Sequence, residues 1–147
     1  AGALRETWAR YRLPVAVTEI HLGCTREEQL RWLAQGWSTC AALKADGVDI
    51  RAVTAWALLG NLDWDSLITR EAGRYETGVF DVRGVEPRPT AIARLLRGLA
   101  RGETAGPEAE IAAQPGWWQR PVRLLHPPFA NPSIAAASMP DLPPSAR

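Results

Sequence analysis

The sequence predicts an α/β fold in which two parallel strands are joined by a helix. Two short apolar runs, residues 15–21 and 50–55, have the length and the β-branched content of buried strands. A helical pattern of about 20 residues separates them, and strands connected in this way are parallel neighbours with a right-handed crossover. Parallel strands need further strands beside them, so we expect the chain to be a piece of a larger α/β domain.

Helical patterns flank the first strand on both sides. Residues 3–11 carry apolar side chains at helical spacing, and Pro14 ends this pattern before the strand. After the strand, Thr25 and Glu28 have the spacing of a capping box, which predicts the start of the second helix. Gly47 is expected to end that helix. Its predicted apolar stripe consists of Leu30, Leu33, Trp37, Cys40 and Ala41.

The second half of the chain has a weaker pattern. Residues 56–73 form a long segment without a clear period, and long loops inside compact domains are usually functional. Residues 78–82 are expected to be extended and to turn at Gly84. A third helix is predicted after Thr90, ending at Gly102, with its apolar face formed by Ile92, Leu95, Leu96 and Leu99.

The last third of the chain differs in composition from the rest. Nine of the twelve prolines lie from Pro107 onward, and we expect residues 103–147 to be a Pro-rich linker or tail after a domain at 1–102. Two adjacent tryptophans, Trp117 and Trp118, stand in a polar surrounding within this segment. Large aromatic side chains in such a place are expected to dock on something.

Composition excludes several function classes. The formal charge is +1 and the basic residues form no run, which argues against a nucleic-acid surface. No apolar stretch reaches the length of a membrane span, and no signal-peptide pattern begins the chain, so a cytoplasmic location is expected. His21, Cys24 and Cys40 could suggest a metal site, but the helix separates the two cysteines by about 24 Å. We expect no metal ion, no cofactor and free thiols.

Polar residues at the ends of the two strands are the candidates for a site. Glu19 ends the first apolar run, where a carboxylate is either a surface cap or a site residue at the mouth of a sheet. Trp56 follows the second strand. Asp63 and Asp65 flank Trp64, and this pattern is typical either of a solvated turn or of a binding loop.

Two βα units with these strand ends fit the last two units of a (β/α)8 TIM barrel, in which the active site lies at the C-terminal ends of the strands. The sequence resembles the closing region of family 1 glycoside hydrolases, the β-glucosidase type, from about residue 13 to residue 99. The motifs that carry the resemblance are Thr18-Glu19, Asp46-Gly47-Val48-Asp49-Ile50-Arg51, Trp56-Ala57-Leu58-Leu59-Gly60-Asn61-Leu62-Asp63-Trp64, Arg70, Gly73 and Asp81.

The resemblance implies a role for four residues. Glu19 matches the nucleophile of the family, and Trp56, Asp63 and Trp64 match the residues that hold the glycone. Retaining glycosidases use two carboxyl groups about 5 Å apart. The second one, the acid/base, belongs to the fourth strand of the barrel, which this chain lacks. The resemblance therefore implies a carbohydrate substrate, activity only together with the missing N-terminal part of the barrel, and an inactive fragment alone.

Five positions depart from the family motifs. Ile20 and His21 stand where the family has Asn-Gly, and Asp63 stands where Glu is usual. Ala57 replaces Ser and Gly60 replaces Asp. These departures leave the substrate preference open.

A second resemblance concerns residues 116–125. They are similar to the joint in bacterial proteins where such a barrel is fused to a dTDP-4-dehydrorhamnose reductase-like domain, although the Gly-rich dinucleotide loop of that domain is not within this sequence. The alternative function is therefore a non-catalytic sugar-binding barrel attached to a nucleotide-sugar reductase. A scaffold without carbohydrate function is the third reading.

Overall fold

The computed structural model describes residues 1–103 and 105–121. Helices alternate with strands in the first half, and the second half combines short two-residue strands with two further helices. The elements in order are α1 (Gly2–Tyr11), β1 (Val15–Ile20), α2 (Arg26–Ala45), β2 (Ile50–Ala55), β3 (Asn61–Leu62), a 3-10 turn (Trp64–Ser66), β4 (Tyr75–Glu76), β5 (Phe80–Asp81), β6 (Arg88–Pro89), α3 (Ala91–Arg101), α4 (Pro107–Ala112) and a second 3-10 turn (Trp117–Gln119).

The βαβ unit is confirmed. β1 and β2 are parallel neighbours, paired from Val15 opposite Ile50 to Ile20 opposite Ala55, and α2 connects them. β1 carries irregularities in this register, one of them between Val17 and Ile20. Two-residue strands form two further antiparallel pairs, β3 with β4 and β5 with β6.

The two runs were predicted to be buried strands, and within residues 1–103 and 105–121 they are covered on one side only. The side of the pair that faces α2 is covered, whereas Ala16, Thr18, Ala52 and Thr54 are exposed. No other strand of the described chain pairs with β1 or β2, and the described residues form no closed barrel. The burial pattern therefore alternates along β1, as it does in a strand covered on one side.

The core lies between the strand pair and the helices. Leu30, Leu33 and Leu43 of α2 are only 1–2% exposed, and each such burial stabilises the fold by roughly 2 kcal/mol. One cluster joins α2 to α3, and it consists of Ile20, Leu30, Leu33, Val79, Ile92, Ala93 and Leu95. A second cluster joins α2 to the start of β2, with Leu4 and Trp8 of α1 packed against it, and consists of Cys40, Leu43, Val48 and Ile50.

The predicted stripe of α2 is partly wrong. Leu30, Leu33 and Cys40 are buried as expected, but Trp37 is only half-buried and Ala41 is exposed. Leu43, which the stripe omitted, is buried. The face of α2 covers the strand pair at one end and α3 and α4 at the other, so its buried residues do not follow a single line.

The capping box at the start of α2 is also wrong, although the helix begins where it was predicted. Thr25 occupies the N-cap position, yet its side chain makes no capping hydrogen bond. The Glu28 carboxylate is buried and pairs with Arg31 and Arg120. Its oxygens also accept the backbone N–H of Trp117, so this carboxylate serves partners from α2 and from the segment after α4 and not the cap.

The segment after α3 was expected to be linker or tail, but the structure has ordered elements there. α4 packs against α2 and α3, and the 3-10 turn at Trp117–Gln119 also contacts α2. Trp117 and Trp118 dock on this helix, as the sequence indicated that they should dock somewhere. The remaining part of the predicted tail, residues 122–147, lies outside the described residues.

Helix length and hydropathy bear on membrane insertion. Among the residues that the structure describes, none of the helices combines the length and the apolar character that crossing a bilayer requires.

Candidate functional site

The ends of β1 and β2 bring two of the predicted site residues to one edge of the strand pair. Glu19 is the penultimate residue of β1, and Trp56 directly follows β2. The backbone N–H of Trp56 donates a hydrogen bond to the carbonyl of Ile20 at 3.1 Å. Because parallel strands end at the same edge of a sheet, this is the edge at which a site is expected in α/β folds.

Trp56 and Trp64 form a tryptophan pair next to this edge. Their ring centroids lie 5.3 Å apart and their planes are inclined by 37°. Trp64 is 39% exposed, so part of its ring remains open to a ligand. Indole faces of this kind pack against apolar surfaces while the surrounding polar groups form hydrogen bonds.

Asp63 precedes Trp64 and organises the loop around it. Its carboxylate is buried and accepts the backbone N–H groups of Ala72, Gly73 and Arg74 at 3.0, 3.1 and 2.8 Å. The bond from Arg74 is the largest of the effects that hold the pKa of Asp63 below its ordinary value. An ionised carboxylate has about four acceptor positions, so three of them are already used by the protein.

Glu19 does not share a hollow with Trp64. The side chain of Glu19 is exposed, and it borders a surface hollow of about 280 Å³ together with Leu4 of α1 and Gly36 of α2. Trp64 borders a different hollow of about 350 Å³. The irregularity of β1 before Ile20 offers a reason, because a bulge changes the side to which the following side chains point.

The hollow at Trp64 lies between the start of α2 and β4. It combines an aromatic face with both signs of charge, including Arg26, Glu27 and an ion pair between Arg74 and Asp65 at 2.6 Å. Cys24 also lines it, and burial raises the pKa of this thiol to about 11. The thiol therefore stays protonated at neutral pH and is a poor nucleophile. Such a mixture suits a ligand with many hydroxyl groups better than a strongly charged one.

His21 and Glu76 are two residues near the tryptophan pair that the predicted site did not include. The Nε2 atom of His21 lies 2.8 Å from Oε1 of Glu76, and its Nδ1 atom lies 3.3 Å from the carbonyl oxygen of Trp56. The hydrogen bond to Glu76 is the main cause that raises the pKa of His21. His21 could have been noticed in the sequence because it departs from the family motif. Nothing in the sequence marks Glu76, because its partner lies 55 positions earlier in the chain.

A metal site is not built by these groups. Within residues 1–103 and 105–121, no three His, Cys, Asp or Glu side chains are placed to share a metal ion.

Comparison with known proteins gives matches to solved structures alone. No protein-family model matches the chain, and no curated protein matches it. The β-glycosidase from the hyperthermophile Thermosphaera aggregans superposes with a TM-score of 0.58 at 17% identity, over 75% of this chain and 23% of that one. β-Glycosidase BGL167 superposes with a TM-score of 0.57 at 28% identity, over 78% of this chain and 26% of that one.

These matches describe a part of a larger fold. The chain spans about a quarter of the length of the β-glycosidases that it resembles. Its βαβ unit and following elements therefore have the fold of one portion of a glycoside hydrolase-like barrel.

Proposed function

We propose that this chain forms one side of the sugar site in a family 1-like β-glycosidase barrel, and that the intact protein hydrolyses O-glycosidic bonds with retention of configuration. One observation carries the proposal: Trp56 directly follows the parallel strand β2 and packs against Trp64, in a fold similar to β-glycosidases. In barrels of this kind the site is built at the C-terminal ends of the strands. The partly open ring of Trp64 suits the apolar C–H face of a pyranose.

Within this proposal each residue has a separate task. Glu19 is the nucleophile, and Trp56 and Trp64 form the platform for the glycone. Asp63 keeps at most one acceptor position for a sugar hydroxyl, so its main contribution is to hold the loop that carries Trp64. The acid/base carboxyl group belongs to a part of the barrel outside this chain, which makes that part a required partner.

A mechanism-based fluorosugar tests the hydrolysis. The intact protein is incubated with a 2-deoxy-2-fluoro glycoside carrying a good leaving group, and its peptides are then analysed by mass spectrometry. We expect one glycosyl group on the peptide that contains Glu19, and none in Glu19→Gln. Glu86→Gln, which removes an exposed carboxylate in the turn before β6, is the control and should label normally. An unlabelled wild-type protein would contradict the hydrolytic role.

A second candidate is a non-catalytic barrel that binds sugar for an attached dTDP-4-dehydrorhamnose reductase-like domain. Two observations favour it: the Asp63 carboxylate is largely occupied by backbone donors, and Glu19 borders a different hollow from Trp64. On this alternative, Glu19→Gln leaves sugar binding and all activity unchanged, whereas Trp56→Ala weakens binding. If neither substitution changes sugar binding, the chain is a scaffold without a carbohydrate function.

A further inference from the structure

His21 connects three separate elements beside the tryptophan pair. It follows the last residue of β1, and its ring nitrogens contact the carbonyl oxygen of Trp56 after β2 and the carboxylate of Glu76 in β4. Glu76 in β4 pairs with Asn61 in β3, and Trp64 begins the 3-10 turn that follows β3. The imidazole therefore bridges the backbone of Trp56 and the β3–β4 strand pair, whose connecting loop contains Trp64.

The partners of His21 specify its protonation state. A carbonyl oxygen and a carboxylate oxygen are both acceptors, so each ring nitrogen needs a hydrogen to bond its partner. A neutral imidazole carries only one N–H and can satisfy one of the two contacts. The doubly protonated imidazolium satisfies both, with Nδ1 donating to Trp56 and Nε2 donating to Glu76.

We propose that His21 is a positioning residue whose imidazolium form ties the carbonyl of Trp56 to Glu76 and so holds the Trp56–Trp64 pair in its arrangement. The extension to ligand binding rests on the proposed sugar site. When the ring loses a proton, one of its two bonds is lost and the pair is no longer held from both sides. Sugar binding on this platform then weakens as the pH rises.

The charges around His21 agree with this direction. Glu76 from β4 raises the pKa of His21 through its hydrogen bond and its charge, and the carbonyl of Trp56 acts in the same direction. Burial and the Arg26 guanidinium from α2 lower it. The net effect is a pKa of His21 above the ordinary 6.5. Both hydrogen bonds of His21, to Trp56 and to Glu76, are therefore formed below pH 6.5, and one of them is lost as the pH rises through the raised value.

The first test measures the protonation of His21 directly. The chain has two histidines, so the imidazole signals in an NMR pH titration can be assigned with His126→Gln. We expect the pKa of His21 to lie above 6.5 and to fall in Glu76→Gln, because that substitution removes the carboxylate that accepts its hydrogen bond. Glu71→Gln, a change of the same kind in the loop before β4, should leave this pKa unchanged. A wild-type pKa at or below 6.5, or equal effects of the two substitutions, would overturn the proposal.

The second test follows the tryptophan pair and the ligand separately. The indole N–H signals of Trp56 and Trp64 are assigned with single Phe variants. Their chemical shifts should change over the pH range in which His21 titrates, and this change should be absent in His21→Gln. Binding of methyl β-D-glucopyranoside to the intact protein should weaken about fivefold over the same pH range, and this weakening should be absent in His21→Gln.

The two readouts separate this inference from the proposed function. If the indole signals change as His21 titrates but the glucoside binds at no pH, the positioning role of His21 is supported and the sugar site is contradicted. A glucoside that binds equally throughout this pH range would overturn the positioning role and leave the sugar site intact. Indole signals that do not change as His21 titrates would also overturn the positioning role.

Discussion

The carboxylate of Glu28 accepts the backbone N–H of Trp117 at 3.0 Å, although 89 positions separate the two residues. Glu28 is 3% exposed and also pairs with Arg31 and Arg120. Nearby, Trp118 packs edge-on against Trp32 with ring centroids 5.0 Å apart. This buried carboxylate therefore fastens the segment after α4 to the start of α2.

Removing this anchor should destabilise the fold. Glu28→Ala leaves the N–H of Trp117 without its partner and two guanidinium groups without their carboxylate, and we expect the free energy of unfolding to fall by about 2–3 kcal/mol. Urea unfolding measured by fluorescence gives this value. The matched control is Glu27→Ala, which removes the exposed neighbouring carboxylate and should cost less than about 0.5 kcal/mol. Equal losses in the two variants would contradict the anchoring role.

Gly60 stands where the similar family has Asp, and the structure shows why a side chain is excluded. A Cβ atom at this position would lie 1.9 Å from the hydroxyl oxygen of Tyr75. That hydroxyl donates to Asp81 and accepts the N–H of Val82. We expect Gly60→Ala to lower the free energy of unfolding by about 1–3 kcal/mol, measured by thermal or urea unfolding.

Gly84→Ala is the control for this substitution. A Cβ there would meet no atom closer than 3.6 Å, which is an ordinary contact, so stability should change little. A Gly60→Ala variant as stable as Gly84→Ala would show that Tyr75 moves aside without cost.

Acid should weaken the second half of the fold. The Arg83 guanidinium is the main group that holds the pKa of Asp81 below its ordinary 3.8, and backbone donors do the same for Asp63. A lowered pKa means that these carboxylates stabilise the fold above pH 3.8, and that this contribution is lost as the pH falls through the lowered values. Unfolding free energies at pH 6 and pH 3 should therefore differ more in the wild type than in Asp81→Asn.

The exposed Asp46, which pairs with Arg5 on the surface, provides the comparison for the acid experiment. Asp46→Asn should keep the wild-type difference between pH 6 and pH 3. If Asp81→Asn also keeps it, the network of Asp81 with Arg83 and Arg88 does not account for acid sensitivity.

Sugar affinity should depend on the tryptophan pair. Replacing Trp64 by Ala removes the partly exposed ring and its contact with Trp56, so we expect the intact protein to bind methyl β-D-glucopyranoside about tenfold more weakly. Isothermal titration or NMR chemical-shift changes measure the affinity. Tyr11→Ala removes an exposed aromatic ring of α1 and should leave the affinity unchanged. An unchanged affinity in Trp64→Ala would place the sugar elsewhere.

Local patterns predicted the first three helices and the main strands well, but they missed α4. β2 and α3 lie where apolar spacing and the residues at their ends placed them, and α3 ends at Gly102 in a left-handed conformation. The parallel pairing of β1 and β2 followed from a helix of sufficient length between them. These features depend on residues close together in the chain, so spacing alone reveals them.

Polar partners were predicted poorly. The sequence favoured a capping role for Glu28, and its partner Arg120 could not be inferred from a distance of 92 positions. The same holds for His21, whose contacts come from Trp56, directly after β2, and from Glu76 in β4. A charged side chain can reach several neighbours, and the strongest available partner is known only after the elements have packed.

The candidate site shows the same division. Strand ends and the resemblance to a glycosidase family together singled out Glu19, Trp56, Asp63 and Trp64 as candidates. Tertiary packing placed Trp56 against Trp64 and Glu19 beside α1 and α2. It also gave the Asp63 carboxylate three backbone N–H donors. Apolar spacing is a property of the local chain, whereas hydrogen-bond partners and the direction of a side chain depend on segments that meet only in the folded protein.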